Sequence, residues 1–313
     1  MPDLAPVTIL MAVYDGGAHL AQQLDSFAMQ DHREWRLIIS DDGSDDDSRV
    51  ICAGFRDRMG ADRVQLIDGP RAGPTRNFLH LVDQAPDGVP LAFSDQDDVW
   101  LPHKMTRAMT QLADAEGPTL YCARTLICDQ ALQNRQPSRL FKRPHGFRNA
   151  LVQACTPGNS SVFNLAAAAL LKRGVQAAMR HDLPAHDWWA YQLVSGAGGT
   201  VIFDAEPVLL YRQHDNNVMG RNDTPRGMLR RMGMLMQGEY GDWLTANTAA
   251  LTEGAPLLSP ENRDILARFR RMLDLPGPAA LRELRRLGLY RQTAGGNAAL
   301  MAAAAMGRLR QRG

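Results

Sequence analysis

The segment around which the chain is organised is Ser94-Asp95-Gln96-Asp97-Asp98-Val99-Trp100, with three carboxylates within four residues. The apolar run 89–93 leads into it and predicts a short buried strand. Like charges this close repel one another, and burial raises carboxylate pKa values. A divalent cation relieves that conflict, because Mg²⁺ and Mn²⁺ prefer carboxylate oxygens. The segment therefore predicts either a metal–diphosphate site at a strand end or an acidic turn that caps the next helix.

Strands and helices alternate along the first 100 residues. Apolar and β-branched runs predict strands at 7–13, 35–40 and 64–67, and a helical pattern follows each of them. This alternation predicts an α/β fold with a doubly wound, mainly parallel sheet. Ligands of such sheets bind beyond the carboxyl ends of the strands. The loops that contain Tyr14, Asp42, residues 73–77 and residues 95–98 are therefore expected to line one rim.

The composition is that of a globular protein. The 313 residues are 45% hydrophobic and 22% charged, which suffices for one large domain and an appendage. No stretch approaches the roughly 20 apolar residues of a membrane-spanning helix, and no signal-peptide pattern is seen at the N-terminus. The four cysteines lack metal-binding spacing and are expected to be reduced thiols. These features predict a cytoplasmic protein.

Residues 221–313 are basic, whereas the rest of the chain is acidic. They hold 15 Arg and 8 Asp or Glu, a net charge of +7, while the first 220 residues carry −6. Leu281, Leu284 and Leu287 recur every three residues with arginines between them. The pattern predicts basic helices that either lie on an anionic membrane surface or pack their leucines on the main body. No basic–aromatic pattern typical of nucleic-acid binding is present.

Two segments in the middle of the chain carry further candidate site residues. One is the polar loop 156–161, which contains Asn159. The other is His186-Asp187-Trp188-Trp189, where a carboxylate stands beside two aromatic rings. Asp187 is expected either to cap a helix or to act as a general base against an apolar wall. Aromatic planes suit the apolar faces of sugar rings, and the predicted acceptor-binding residues are Trp100, Asn159, Trp188 and Trp189.

In their order along the chain these motifs resemble the family 2 glycosyltransferases, which have the GT-A fold. Five segments carry the resemblance over about residues 5–220: Ala12-Val13-Tyr14-Asp15-Gly16, Asp41-Asp42-Gly43-Ser44, Gly73-Pro74-Thr75-Arg76-Asn77, Asp95-Gln96-Asp97-Asp98 and His186-Asp187-Trp188-Trp189. The run Tyr211-Arg212-Gln213-His214 is most similar to the bacterial rhamnosyltransferase branch. Asp15 stands where asparagine is usual, and His186 where glutamate is frequent.

The resemblance implies a specific reaction and a set of site residues. The reaction is inverting transfer of a sugar, with rhamnose from dTDP-rhamnose as the first candidate and a UDP-sugar as the second. The acceptor is a hydroxyl of a glycan or lipid-linked glycan, in cell-surface polysaccharide synthesis. Asp187 is the implied base, and Asp97 and His214 are the implied ligands of Mg²⁺ or Mn²⁺. The implied nucleotide-sugar-binding residues are Tyr14, Asp42, Arg76, Asp95 and Asp97.

The resemblance also implies a division of the chain. A GT-A domain spans 1–220, with a nucleotide-sugar half at about 1–120 and an acceptor half at about 121–220, and a basic helical region follows at 221–313. This region would place the enzyme at the inner face of the plasma membrane. Two other functions stay open at this point. One is a metal-dependent nucleotidyltransferase, for which an obvious basic triphosphate loop is missing, and the other is a non-catalytic glycan-binding protein of the same fold.

Overall fold

The computed structural model describes residues 5–213 and 238–310. Its first 94 residues alternate between strands and helices in the order β1 (Val7–Val13), α1 (Gly17–Ala28), β2 (Trp35–Asp41), α2 (Ser48–Met59), β3 (Val64–Asp68), α3 (Pro74–Gln84) and β4 (Leu91–Ser94). The bounds of β1 match the predicted strand, and β2 and β3 each extend one residue further. Residues 74–77, expected to be a loop, instead form the first turn of α3, because Pro74 has the backbone angle of a first helical residue.

Shorter strands and a run of helices make up the rest of the described chain. Up to residue 213 these are β5 (Val99–Trp100), α4 (Lys104–Ala113), β6 (Thr119–Ala123), β7 (Leu126–Cys128), β8 (Gln136–Pro137), α5 (Phe147–Ala150), a 3₁₀ turn (Gly158–Ser160), β9 (Val162–Phe163), α6 (Leu165–Met179), α7 (His186–Gly196), β10 (Thr200–Asp204) and β11 (Leu209–Arg212). From residue 238 onward they are α8 (Glu239–Glu253), a 3₁₀ turn (Ala255–Leu257), α9 (Pro260–Leu273), α10 (Gly277–Arg286) and α11 (Ala294–Ala305).

The main sheet, counted over the described residues, has seven strands in the order β10-β6-β9-β4-β1-β2-β3. Strands β3, β2, β1 and β4 are parallel neighbours, as are β6 and β10. Only β9 is antiparallel to its neighbours, so the other strands all point the same way. The predicted doubly wound, mainly parallel sheet is confirmed. A second sheet, also within the described residues, pairs Trp100 of β5 with Leu209 of β11. This pairing brings the acidic segment close to Arg212.

Side chains of β1 alternate between two hydrophobic clusters, as the pleat of a strand requires. Ile9 and Met11 pack on one face of the sheet with residues of α1, α2 and α4. Leu10 and Ala12 pack on the other face with residues of α3, α6 and α7. All seven residues of β1 are buried, because helices cover both faces. In a sheet covered in this way, ligands bind beyond the carboxyl ends of the strands, and a site is expected there.

The C-terminal helices belong to the same hydrophobic cluster as α3, α6 and α7, and that cluster extends from Leu10 to Leu309. Leu284 and Leu287 are buried in it, while the neighbouring arginines 282, 285 and 286 are exposed. Of the two alternatives for this helix, packing on the main body is therefore the one observed. The predicted domain boundary at residue 220 lies outside the described residues and stays a prediction. Among the helices described, none has both the length and the apolar character needed to span a membrane.

Candidate active site

The loops that follow β1 and β4 are joined by the side-chain amide of Gln96. Its Nε2 donates a hydrogen bond of 2.9 Å to Tyr14 O, and its Oε1 accepts one of 2.9 Å from Tyr14 N. A Cβ atom at position 16 would collide with the same amide, so Gly16 is required for this close approach. The first and fourth loops of the rim are therefore held in contact, and the ring of Tyr14 is left exposed.

Asp15 joins the first loop to the second. Its Oδ1 accepts a hydrogen bond of 2.9 Å from Asp45 N, and its own amide donates one of 3.0 Å to Ser44 Oγ. Its backbone φ is 44°, a left-handed conformation that aspartate and asparagine adopt more readily than most residues. The replacement of the usual asparagine by Asp15 thus keeps the backbone conformation and adds a negative charge. That charge is the main reason why the pKa of Tyr14 is raised.

Asp42 holds the loop that leads into α3. The Asp42 carboxylate is buried, and it accepts hydrogen bonds of 2.7 Å from Arg71 N and 2.8 Å from Gly73 N. The side chain of Arg71 is exposed and lies over Gly43, at the rim. Arg71 was not selected from the sequence, and it is a further cation beside the predicted nucleotide-binding residues. The nucleotide contact predicted for Asp42 itself stays a prediction.

Asp95, Asp97 and Asp187 form one acidic group, although Asp187 is at least 90 positions from the other two. Burial together with the charges of Asp97 and Asp187 raises the pKa of Asp95 to about 7, and Lys104 lowers it in part. Asp97, after β4, and Asp187, at the start of α7, therefore lie close enough to Asp95 to affect its ionisation. Had Asp187 opened onto another face of the molecule, the predicted enzyme site would not exist.

Asp98, the third carboxylate of the motif, is buried and hydrogen-bonded to other residues of the protein. It is 0% exposed, its Oδ2 accepts a hydrogen bond of 2.7 Å from Asn159 Nδ2, and its Oδ1 accepts one of 3.3 Å from Arg212 N. The buried guanidinium of Arg212 donates to Asp97 O at 2.9 Å and to Gln22 Oε1 at 2.6 Å. Asp98 and Arg212 therefore hold the backbone of the motif, and the ligand contacts predicted for Asp95 and Asp97 stay predictions.

Asp187 is the second residue of α7, and Ala185 occupies the cap position that was the alternative prediction for Asp187. Its Oδ2 accepts a hydrogen bond of 3.0 Å from Gly158 N, and its Oδ1 accepts one of 2.7 Å from Trp188 N. Burial raises the pKa of Asp187, while these two N–H groups lower it in part. A fixed carboxylate with a raised pKa is suited to accept a proton from a bound hydroxyl group.

His186 forms part of an apolar wall beside Asp187. Its imidazole stacks on the Phe78 ring at 3.8 Å, meets the Phe93 ring edge-on at 5.1 Å, and has its pKa lowered to about 3 by burial. The ring is therefore neutral at physiological pH. Its Nε2 is buried and, among the residues described, no hydrogen-bond partner is found for it. Histidine at this position gives a planar surface in place of the second carboxylate that a glutamate would add.

The three tryptophans predicted to bind the acceptor are side chains of the core. Trp100, Trp188 and Trp189 are 1%, 4% and 2% exposed. Trp188 Nε1 donates a hydrogen bond of 2.6 Å to Ala150 O, as a buried indole requires. Stacking on a sugar needs an open ring face, so these rings would have to move before an acceptor could contact them. Asn159, the fourth predicted residue, is also buried and binds Asp98, and the acceptor role of all four stays a prediction.

Arg76 and His214 complete the predicted set. Arg76 Nη2 forms an ion pair of 2.7 Å with Asp182, and its Nη1 donates to Met179 O, so this arginine ties α3 to the end of α6. Its donor-binding role stays a prediction. His214 lies outside the described residues. Over residues 5–213 and 238–310, no group of three or more His, Cys, Asp or Glu side chains is arranged to hold a metal ion.

A family model decides what kind of protein this is. The model for glycosyl transferase family 2 matches residues 8–175, which is more than half of the chain. The chain belongs to glycosyltransferase family 2. The resemblance seen in the motifs is thereby confirmed, and with it the prediction that the protein is a glycosyltransferase.

Two relatives and one solved structure show how far this family 2 glycosyltransferase resembles other proteins. It is 24% identical over 258 residues to the dTDP-rhamnosyl transferase RfbG of Shigella flexneri, covering 78% of this chain and 85% of RfbG. It is 24% identical over 106 residues to the UDP-Glc:alpha-D-GlcNAc-diphosphoundecaprenol beta-1,3-glucosyltransferase WfgD of Escherichia coli, covering 34% of this chain and 40% of WfgD. Residues 1–349 of S. aureus TarS in complex with UDP-GlcNAc superpose with a TM-score of 0.55 at 14% identity, covering 90% of each chain. The structural likeness confirms the predicted GT-A type fold.

Besides Arg71, three residues of this family 2 glycosyltransferase that shape the site were not selected from the sequence: Gln96, Lys104 and Arg212. Gln96 and Arg212 lie within quoted motifs, so their presence near the site was foreseeable although their hydrogen bonds were not. Lys104 has the pattern of a solvated residue at a helix start, yet it is 0% exposed and donates a hydrogen bond of 2.6 Å to Asn159 O. Burial lowers the pKa of Lys104, and the charges of Asp98 and Asp95 oppose that shift.

Proposed function

We propose that this protein transfers a sugar from a nucleoside diphosphate sugar to an acceptor hydroxyl group with inversion at the anomeric carbon. The observation that carries the proposal is a geometric one. The adjacent residues Gly158 and Asn159 donate hydrogen bonds to Asp187 and Asp98, which brings three carboxylates, Asp95, Asp97 and Asp187, together. Two of these carboxylates lie at the end of β4, where the donor of a doubly wound sheet is expected, and the third lies across the rim. The arrangement provides both a place for a diphosphate and a base for the attacking hydroxyl.

A divalent cation, Mg²⁺ or Mn²⁺, fits the acidic group. Burial, and then the charges of Asp97 and Asp187, raise the pKa of Asp95, and a bound cation would offset the repulsion between these carboxylates. Mg²⁺ is commonly held by one or two carboxylates together with the phosphates of the substrate. Asp97 and Asp95 are the residues proposed to hold it. When bound, the cation supplies positive charge at the departing diphosphate.

The donor side of the site is assigned to the rim of loops after β1, β2 and β4. Tyr14 and Asp42 are proposed to meet the nucleotide base, and Asp95 the ribose or the cation. The exposed Arg71 and the ion-paired Arg76 are candidates for the diphosphate, because guanidinium groups bind phosphate oxygens strongly. The relationship to RfbG supports dTDP-rhamnose as the first donor to test. The UDP-GlcNAc complex of TarS supports UDP-sugars as the second.

The acceptor side is assigned to Asp187 and its surroundings. The Asp187 carboxylate is proposed to take the proton of the acceptor hydroxyl while the oxygen attacks the anomeric carbon from the face opposite the diphosphate. Gly158 N and Trp188 N hold the carboxylate in one orientation, and the neutral ring of His186 limits the water around it. One base is sufficient for inversion, because no covalent intermediate has to be formed and broken.

The proposed acceptor is a glycan or lipid-linked glycan of the cell surface. The name of WfgD specifies an acceptor linked to diphosphoundecaprenol, which supports a lipid-linked substrate for this chain as well. An acceptor of that kind would bring the cytoplasmic enzyme to the inner face of the membrane. Because Leu284 and Leu287 are buried in the core, the attraction of α10 to an anionic surface would come from its exposed arginines alone.

The proposal is tested with purified protein, Mn²⁺ and a panel of donors that includes dTDP-rhamnose, UDP-glucose and UDP-GlcNAc, each with lipid-linked and free glycan acceptors. The expected products are a nucleoside diphosphate and an acceptor larger by one sugar. NMR of the product should show that the anomeric configuration of the transferred sugar is inverted. Release of pyrophosphate from nucleoside triphosphates would support a nucleotidyltransferase instead. Glycan binding without turnover of any donor would support a non-catalytic protein.

A further inference from the structure

The 3₁₀ turn Gly158–Ser160 contacts both halves of the proposed site. Gly158 N donates a hydrogen bond of 3.0 Å to Asp187 Oδ2, and the next residue, Asn159, donates one of 2.7 Å from Nδ2 to Asp98 Oδ2. Two adjacent residues thus join the proposed base to the carboxylate that holds the acidic motif. A displacement of this turn would change the separation between Asp187 and the acidic motif.

Lys104 holds the turn Gly158–Ser160 through a hydrogen bond from its buried amino group. It is the first residue of α4, its side chain is fully buried, and Nζ donates a hydrogen bond of 2.6 Å to Asn159 O. The same Nζ lies 3.2 Å from the centroid of the Trp100 ring, which confines it on the other side. Asn159 is therefore held at two points, with its carbonyl bound by Lys104 and its side chain by Asp98.

The location of Lys104 is costly for stability alone. Burying an amino group removes its hydration, and the N-terminal end of a helix disfavours a positive charge. An apolar side chain of similar length, such as methionine, would fill the space beside Trp100 at a lower desolvation cost. A methionine would lose the contacts that the amino group of Lys104 makes. All of these contacts connect Lys104 to the turn and the acidic motif. The residue is thus explained by what it positions.

We propose that Lys104 is a positioning residue that acts through the turn Gly158–Ser160 to set the relation between Asp187 and the carboxylates of Asp95 and Asp97. It does not touch the substrate. The inference rests on the proposed function, since it assumes that Asp187 is the base and that Asp95 and Asp97 meet the donor. A small displacement of a catalytic group can cost on the order of 100-fold in rate while substrate binding is little changed.

The test compares Lys104→Met with Lys172→Met. Lys172 is a matched control, because its Nζ also donates to a backbone carbonyl, Ala85 O, and lies 3.0 Å from Asp87, far along the chain from the site. We expect Lys104→Met to lower kcat by about 10- to 100-fold and to change the KM of either substrate by less than about threefold. Hydrogen–deuterium exchange should become faster in peptides that cover residues 95–98 and 156–161. Lys172→Met should change neither kcat nor the exchange of these peptides, even where its Tm changes by as much as that of Lys104→Met.

Two results would overturn the inference. One is a kcat for Lys104→Met equal to that of Lys172→Met, and the other is faster exchange spread over the whole domain, which would mean a merely structural role. If Lys104→Met does not fold, Lys104→Gln is judged by the same criteria. The glutamine side chain keeps an N–H donor but is shorter than that of lysine. If the wild-type protein transfers no sugar, the proposed function fails, and the exchange of the turn still decides whether Lys104 holds it.

Discussion

Gln96 and Tyr14 form a closed pair in which one side-chain amide satisfies both backbone groups of the tyrosine, with two hydrogen bonds of 2.9 Å. The pair joins the loop after β4, which carries the carboxylates, to the loop after β1, where the nucleotide base is expected. Both loops must keep their positions for a donor to bridge them. The proposed donor site therefore depends on a residue that touches no part of the reacting bond.

We expect Gln96→Ala to weaken donor binding. The two lost hydrogen bonds contribute about 0.5–1.5 kcal/mol each, so the dissociation constant of the nucleotide sugar should rise by roughly 5- to 150-fold. Calorimetric titration of the donor measures the change. Gln84→Ala is the matched control, because Gln84 is an exposed glutamine at the end of α3. Equal donor affinity in the two variants would show that the Gln96–Tyr14 pair is not needed for donor binding.

Asp187→Asn should abolish transfer while donor binding is retained. Asparagine keeps the size, and its single Oδ1 can still accept a hydrogen bond from Gly158 N or from Trp188 N, but its amide cannot take up a proton. The expected loss of kcat is about 10²–10⁴-fold, the contribution of a positioned base. Steady-state rates and donor titrations on the same preparation separate the two effects. Asp264→Asn, at an exposed position of α9, is the control, and wild-type turnover of Asp187→Asn would refute the assignment of the base.

Asp97→Asn should remove the metal-dependent part of donor binding. With one carboxylate neutralised, the proposed cation loses a ligand and the donor loses its counter-charge. Titrations of the nucleoside diphosphate with Mn²⁺ and with EDTA should therefore differ for the wild type and coincide for the variant. Asp57→Asn, an exposed carboxylate of α2, should behave as the wild type. A wild-type affinity that is the same in Mn²⁺ and EDTA would argue against the cation.

The ionisation of Asp95 should make the metal-free protein less stable as the pH rises. The folded-state pKa of about 7 is above the ordinary value of 3.8, so the stabilising contribution of Asp95 is complete below pH 3.8 and is lost as the pH rises through 7. Asp95→Asn should remove this dependence. Relative to the wild type, its free energy of unfolding should therefore increase between pH 5 and pH 8, by roughly 2–3 kcal/mol. Denaturant titrations of both proteins in EDTA measure the difference, and a constant difference over that range would contradict the raised pKa of Asp95.

Trp188→Phe distinguishes a core role from an acceptor role. The variant removes the hydrogen bond from Trp188 Nε1 to Ala150 O and part of the buried ring. We expect a loss of about 1–3 kcal/mol in the free energy of unfolding, with the acceptor KM unchanged. Thermal unfolding and acceptor titrations in the transfer assay measure both quantities. A large rise in acceptor KM without a change in stability would mean that the ring opens to bind sugar.

The strands, the rim and the family were determined by the sequence alone, because they depend on local patterns. Each of residues 7–13 is apolar or β-branched, which specifies a strand buried on both faces whatever its neighbours are. The order of the motifs along the alternating strands and helices then places Tyr14, Asp42 and the acidic segment at one rim. Nothing beyond periodicity and the direction of parallel strands is needed for that part of the prediction.

The roles of individual polar and aromatic side chains were decided only by the tertiary structure. Within 95–98 the sequence offers three equivalent carboxylates, and Asp98 is singled out by Asn159, a partner 61 positions away. Lys104 is buried and the tryptophan rings are closed because distant elements cover them. Whether a polar side chain is solvated, paired or placed against a substrate depends on contacts made after the chain has folded. Periodicity carries no information about those contacts.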